Sequence, residues 1–386
     1  MAPPLEFGIA FHKAMEVIYD PETWEMDKEV IGELAVKTFV DECRKQKKRY
    51  LHEANEPALE DAVEKEYADR VELGKGMLRY YYREQLPKHP DGFRPVKVEI
   101  PFEVPIMHPD TGEPLRCKCD KCWNMFCLEQ NATKPAQVVN AGDFGNPTEE
   151  WFSGLVNSRD TWEGLPVTYA GRIDCIGIDE NGDYWIVDWK TAAQISKDEE
   201  FLYLDDQIGS YVWALRMILN LPVRGFIYHE QKKGYPKPPN ENVQRRKGCL
   251  FSVNKQQDTD YETYLATVKE HDTEAWKEGL YDDMLTFLRN EGTVFYKRFV
   301  IFKTDEELLE IGLNIGHEAI EMTDPNIRVY PNAGRFACKF CAFRQPCLGK
   351  NRREHYEYTL QTLFKKEPPY WYRQARGAST ESKGGE

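Results

Sequence analysis

Two aspartates and a lysine, Asp174, Asp188 and Lys190, form the set of residues in this chain most suited to chemistry. Val167 to Ile178 and Asp183 to Trp189 read as strands, joined by Asp179-Glu180-Asn181-Gly182, whose Asn-Gly step suits a hairpin turn. Strand side chains alternate, so Arg172, Asp174 and Ile176 point one way, while Ile186, Asp188 and Lys190 point together. The hairpin then lays Asp174 beside Asp188 and Lys190. The flanking residues are apolar and aromatic, so these charges are expected to be partly buried, which is costly without partners. A divalent cation between the two carboxylates removes that cost. Mg²⁺ or Mn²⁺ held this way activates a water and offsets charge building on a phosphate. A lysine beside it orients the water and stabilises developing negative charge. For an isolated Asp-x-Lys at a strand end, a structural salt bridge is the commoner explanation, so the wider context has to decide.

The elements that must position these residues are legible from periodicity. Helical patterns cover Leu5 to Ile18, Met26 to Tyr50 and Pro57 to Gln85, with Asp20-Pro21 as a turn between the first two. Strand-like alternation follows at Pro95 to Ile106. From about Met107 to Leu165, Cys, Pro, Gly, Asn and Asp dominate, as in a loop-rich inserted module. After the hairpin come a helix from Lys197 to Asn220, a strand from Val223 to His229, and a basic, proline-rich loop over 231–247. A helical stretch from Tyr261 to Asn290, a strand from Val294 to Phe302 and a helix from Glu306 to Met322 complete the pattern. The residues after Gly377 are small and polar, as expected of a disordered tail. The domain reading is a helical part over 1–106, a Cys-rich insert over 107–165, a core with a C-terminal Cys cluster over 166–365, and a tail over 366–386.

The chain has 10 cysteines in 386 residues. Cys338, Cys341 and Cys347 stand as C-x2-C-x5-C, a density that suits a 4Fe–4S cluster or Zn²⁺. Cys117, Cys119, Cys122 and Cys127 lie within the insert at a spacing that fits a closed structural Zn²⁺ site, and a small loop-rich insert is the kind of module a metal stabilises. Cys175 falls on the hairpin opposite Asp174, where core packing accounts for it, and Cys249 has no evident partner.

The order of motifs along the chain resembles the PD-(D/E)XK nuclease superfamily, in its RecB-like branch. Gly8-x3-His12-x3-Glu16 matches the first helix motif, Gly171-Arg172-Ile173-Asp174 the GxxD motif, Asp188-Trp189-Lys190-Thr191 the D-x-K motif and Gln207-Ile208-Gly209-Ser210-Tyr211 the Q-x3-Y motif. Each alone is weak; four in order, set in helix, hairpin and helix, carry the resemblance. It implies an α/β (α+β) restriction-endonuclease-like core, a mixed sheet flanked by helices. It also implies that His12, Asp174, Asp188 and the Trp189 carbonyl ligate the metal, and that Lys190 is the catalytic lysine. Gln207 and Tyr211, one helical turn apart, support the site and contact DNA, and Glu16 orients its helix. The C-terminal cysteines resemble the iron–sulfur subgroup of AddB-type and CRISPR-associated exonucleases, where a fourth cysteine precedes the His-bearing helix. No cysteine precedes His12 here, and Cys43 is the nearest substitute; one of the insert cysteines, three protein ligands or a zinc ion are the other readings, with iron–sulfur ahead of zinc.

Composition bounds what remains. A net charge of −14 argues against wholesale coating of nucleic acid but not against gripping a short stretch. The basic runs at Arg44 to Arg49 and Lys232 to Lys247 read singly as solvated ends and loops. There is no long apolar run, no signal-peptide pattern and no phosphate loop of an ATPase, so the expectation is a reducing cytoplasm, the host's if the chain is phage-encoded. Unwinding then falls to a helicase or recombination partner, or the substrate is DNA whose ends are single-stranded or already open. The preferred function is a DNA exonuclease of recombination, repair or phage DNA processing. The alternatives are a non-catalytic DNA-binding module on the same fold and a structure-specific endonuclease. A homo-oligomer is compatible with any of them.

Overall fold

In the computed structural model, residues 3–54, 60–119, 122, 163–195, 199–242, 248–324, 326–327, 333–334 and 337–364 are described. Cys127, most of the insert, the centre of the basic loop and the tail after 364 lie outside them. Helices α1 (Pro3–Ile18), α2 (Lys28–Ala54) and α3 (Glu60–Tyr80) come first; α3 runs on through a wider turn over Tyr81–Gln85. The remaining principal helices are α4 (Asp206–Trp213), α5 (Tyr261–His271), α6 (Asp282–Glu291), α7 (Asp305–Thr323), α8 (Arg344–Asn351) and α9 (Tyr356–Leu363). The strands are β1 (Phe93–Pro105), β2 (Arg116–Cys117), β3 (Leu165–Pro166), β4 (Thr168–Asp179), β5 (Tyr184–Ala192), β6 (Val223–Lys232) and β7 (Tyr296–Ile301).

By its contacts the chain divides into two units, Met1–Pro105 with Thr168–Asn314, and Ile106–Val167 with Ile315–Glu386. Residues 315–386 therefore group with the insert, whereas the sequence pattern set 166–365 as one stretch.

The first unit is built on a five-stranded sheet in the order β1-β4-β5-β6-β7. Every neighbouring pair is antiparallel except β5 and β6, which are parallel. A parallel pair needs a crossover, and α4 lies in it. On α1, Phe7, Ala10, Phe11, Ala14, Met15 and Ile18 recur at helical spacing and are all buried. They pack with residues of α2 and α3 against Cys175, Val187, Trp189 and Ile227, one face of the sheet. Close approach is helped by Gly74 of α3, where an added Cβ would lie 2.1 Å from the Phe39 ring of α2. A smaller core joins α5 and α6 through Tyr264, Val268, Tyr281, Met284 and Leu288.

Two helical stretches are shorter than their sequence patterns. The 197–220 pattern breaks at Leu204 and Asp205, because the Asp205 side chain accepts from the backbone N–H groups of Gln207 and Ile208 and starts α4 anew. The 261–290 pattern breaks at Asp272 and again at Gly279, which sits at φ +74°. Both are local polar or glycine choices that override a continuous apolar stripe.

In the second unit, β2 and β3 pair at the base of the insert. Leu115 donates to the Ile106 carbonyl, and Val167 donates to that of Leu115, closing the same base. The rings of Phe343 and Phe364 stack at 4.8 Å beside α8 and α9. Among the described residues no helix is long and apolar enough to cross a membrane.

α1 is also tied to α3 by charge. Arg70 Nη1 donates to Glu6 Oε2 at 3.0 Å, Tyr67 donates to the same oxygen at 3.0 Å, and both charged side chains are 7% exposed. Removing one partner of such a pair strands the other and costs about 3–5 kcal/mol. Arg70→Met is expected to destabilise by that order in urea unfolding, and Glu6→Gln in the same chain should recover more than half. A double variant no better than the single one would assign the cost to packing of the arginine stem instead.

Candidate active site

β4 and β5 pair from Ile178↔Tyr184 to Cys175↔Val187 and no further. Beyond that point β4 continues against β1 alone, and β5 continues against β6 alone. Asp174 and Asp188 are the next residues on each strand, so the two carboxylates face each other where the sheet splits. The Trp189 N–H bridges the gap, donating to Asp174 Oδ2 at 3.3 Å. The Trp189 side chain turns to the opposite face, is 2% exposed, and lies 4.7 Å ring to ring from Tyr19. Alternation thus anchors the middle residue of Asp-Trp-Lys in the core and leaves its neighbours at the cleft.

Four further side chains converge there. His12 reaches from α1, with Nδ1 at 3.0 Å from Asp174 Oδ2. Lys190 Nζ lies 2.9 Å from Asp188 Oδ1 and 2.8 Å from Oδ2. Gln207 of α4 donates to Asp188 Oδ1 at 3.5 Å. Tyr211, one turn on, is hydrogen-bonded to the Gln207 side chain and to the Arg172 backbone. Gly171 explains itself by contact: a Cβ there would lie 2.6 Å from the Phe102 ring and 3.2 Å from that of Tyr211. Gly8 differs, since a Cβ there meets nothing within 4 Å, and the surface one turn before His12 is open.

The electrostatics are those of two acids forced together. Burial, and then repulsion from Asp174, push the Asp188 carboxyl up to about 6 despite Lys190. Asp174 is opposed by burial too, yet the hydrogen bond and charge of His12, with Lys190 and the Trp189 N–H, hold it below the usual carboxylate range. Burial draws His12 and Lys190 down, but the carboxylates outweigh it and leave both above their ordinary values. Asp188 is 3% exposed, and its Oδ2 accepts no well-directed hydrogen bond even with Lys190 Nζ at 2.8 Å. A buried carboxylate with an unsatisfied oxygen, facing a second carboxylate, fits a hard divalent cation. His12 is a further donor beside Asp174 Oδ2, although His12, Asp174 and Asp188 do not all bring ligand atoms within 4.8 Å of one another as the thiols of Cys117, Cys119 and Cys122 do.

The site includes residues the sequence pattern did not single out. Glu99 of β1 pairs with Arg172 at 2.8 Å and shares a hydrogen bond with Glu16, which also pairs with Lys13. Tyr228 lies opposite Asp188 on β6, and its phenol is raised by burial and by Glu230, Asp188 and Asp205. Neither residue has a local motif; only strand register finds them.

The cysteines divide. The thiols of Cys117, Cys119 and Cys122 lie within 4.8 Å of one another. Among the described residues, Cys338, Cys341 and Cys347 do not form such a group; Cys341 is exposed and the other two are half-buried. Cys43 is 1% exposed within the apolar core of α1 to α3, and burial pushes its thiol up to about 12. Cys175 is fully buried in that core.

The family model of the PD-(D/E)XK nuclease superfamily matches residues 1–348. The chain belongs to that superfamily, and its five-stranded mixed sheet flanked by helices is consistent with the restriction-endonuclease-like fold. Membership supports a hydrolytic nuclease. No curated protein and no solved structure matches the chain significantly.

The strained carboxylate gives a stability prediction. An acid whose folded pKa is raised holds its proton more tightly folded than unfolded. Through Asp188, metal-free protein gains at low pH and loses that contribution as pH rises from the ordinary carboxylate value of 3.8 to about 6, while the depressed Asp174 works in the opposite sense at acid pH. Above that window the penalty is fully present. Asp188→Asn should raise the melting temperature of metal-free protein at neutral pH, and Mg²⁺ or Mn²⁺ should then stabilise wild type but not the variant. Thermal melts with and without chelator read both effects.

Proposed function

We propose that this protein is a divalent-metal-dependent deoxyribonuclease that removes nucleotides from DNA ends. The observation that carries this reading is the pairing of Asp174 and Asp188 at the sheet split, with Lys190 against Asp188. Asp174, Asp188, His12 and the Trp189 carbonyl hold Mg²⁺ or Mn²⁺. When bound, the cation acts as a Lewis acid and lowers the pKa of a bound water.

The chain's own residues do the rest. Lys190, kept protonated by its acidic neighbours, orients the attacking water and neutralises charge growing on the phosphate. Gln207 fixes Asp188 from α4, and Tyr211 ties that helix to β4 beside Arg172. Both face the strand that enters the cleft. The Gln-x3-Tyr pair resembles the exonuclease branch and supports cleavage from ends over cleavage within closed duplexes. With a net charge of −14, the grip on DNA is confined to the cleft, which suits an end rather than a long footprint. Recombination, repair or phage DNA processing is the proposed setting.

End-labelled linear DNA and closed circular duplex, incubated with Mg²⁺ or Mn²⁺, test this directly. Wild type should degrade the linear substrate only. Lys190→Ala should lower kcat by roughly 10²–10³-fold, the scale of losing one stabilising group at the developing charge, and Asp188→Ala should abolish measurable turnover. Metal-independent cleavage, or none, would sink the enzyme reading; cutting of closed circles would sink the exonuclease reading alone.

A further inference from the structure

We propose that Cys117, Cys119 and Cys122 bind a zinc ion that locks the base of the insert, where its outgoing and returning chains meet. This site lies outside the carboxylate centre and stands whether or not the exonuclease reading does. The three thiols lie within 4.8 Å of one another, on a segment that starts at the end of β2. The Cys122 thiol is hydrogen-bonded to both others, so the three already converge on one point.

The surroundings are built rather than incidental. Cys117 pairs with Leu165 across β2 and β3. Gly164, at φ +95°, lies so close that a Cβ would sit 2.9 Å from the Cys117 carbonyl oxygen. Only glycine suits that conformation and that approach together. Arg116 donates to the Gly164 carbonyl at 3.2 Å and pairs with Glu163 at 3.6 Å. The returning chain is thus fastened to the backbone that carries the first thiol.

Among the described residues of the second unit the buried hydrophobic side chains are Ile106, Leu115 and Ala319. Where few described apolar side chains are buried, metal ligation supplies folding free energy outright. Thiolates select soft or borderline cations over Mg²⁺ and Ca²⁺, and zinc takes three thiolates with a fourth donor in tetrahedral array.

The test is metal content of the full chain, purified without added metal, for wild type, Cys119→Ser and Cys341→Ser. Wild type and Cys341→Ser should carry zinc that Cys119→Ser lacks. Replacement by Co²⁺ should give thiolate charge-transfer and tetrahedral ligand-field bands in the first two and not in the third. Should Cys119→Ser fail to fold, thiol titration of wild type serves: chelator should release zinc and expose previously protected thiols together, with faster proteolysis within 106–167. Zinc absent from wild type, zinc retained by Cys119→Ser, or iron lost in that variant would each overturn the proposal. None of these readouts depends on DNA cleavage.

Discussion

The mutual repulsion of two carboxylates, Asp188 buried and Asp174 partly so, is the constraint around which the site in the first unit is arranged. Asp174 and Asp188 face each other where β4 and β5 cease to pair. Two like charges at such a distance and depth are unstable without compensation. Each neighbour at the site answers that demand: His12 on Asp174, Lys190 and Gln207 on Asp188, and the Trp189 N–H across the gap. A sheet that stayed paired through this point would have satisfied its backbone internally and left no opening. The split trades ladder hydrogen bonds for a cleft lined by acceptors.

Holding that arrangement requires rigidity from elsewhere, and alternation supplies it. Trp189 points away from Asp188 and Lys190 into the core shared by α1, α2 and α3. Fixing its side chain fixes the backbone whose N–H lies at the site. α1 contributes twice, burying one stripe on the sheet and offering His12 from the next. The charged tie of Glu6 to Arg70 and Tyr67 then sets α1 against α3. Site geometry thereby depends on packing more than a hundred residues away in sequence.

Local pattern made much of this legible. The α1 stripe, the hairpin turn at Asp179 to Gly182 and the period-two placement of Asp174, Asp188 and Lys190 follow from spacing alone, and the sheet register agrees with them. What escaped local pattern is non-local by nature. Glu99 and Tyr228 enter the site only through the pairing of β1 with β4 and of β5 with β6. The break before α4 escaped because an aspartate cap outweighed a continuous helical pattern, and that cap aims Gln207 at Asp188. Cysteine spacing was an unequal guide: one triad converges, while the denser-looking C-terminal set does not do so among the described residues.

The charge balance of the cleft connects this architecture to a chain that is acidic overall. Lys190 and a histidine held above its ordinary pKa supply positive charge beside the carboxylates. Both are therefore spoken for by the protein itself. With a cation on the two acids, as proposed, the Lys190 ammonium would lose its strongest partners and become available to phosphate, while His12 would serve the cation. Away from the cleft, a net charge of −14 opposes polyanions, and within it the balance of charge turns with the occupancy of two carboxylates.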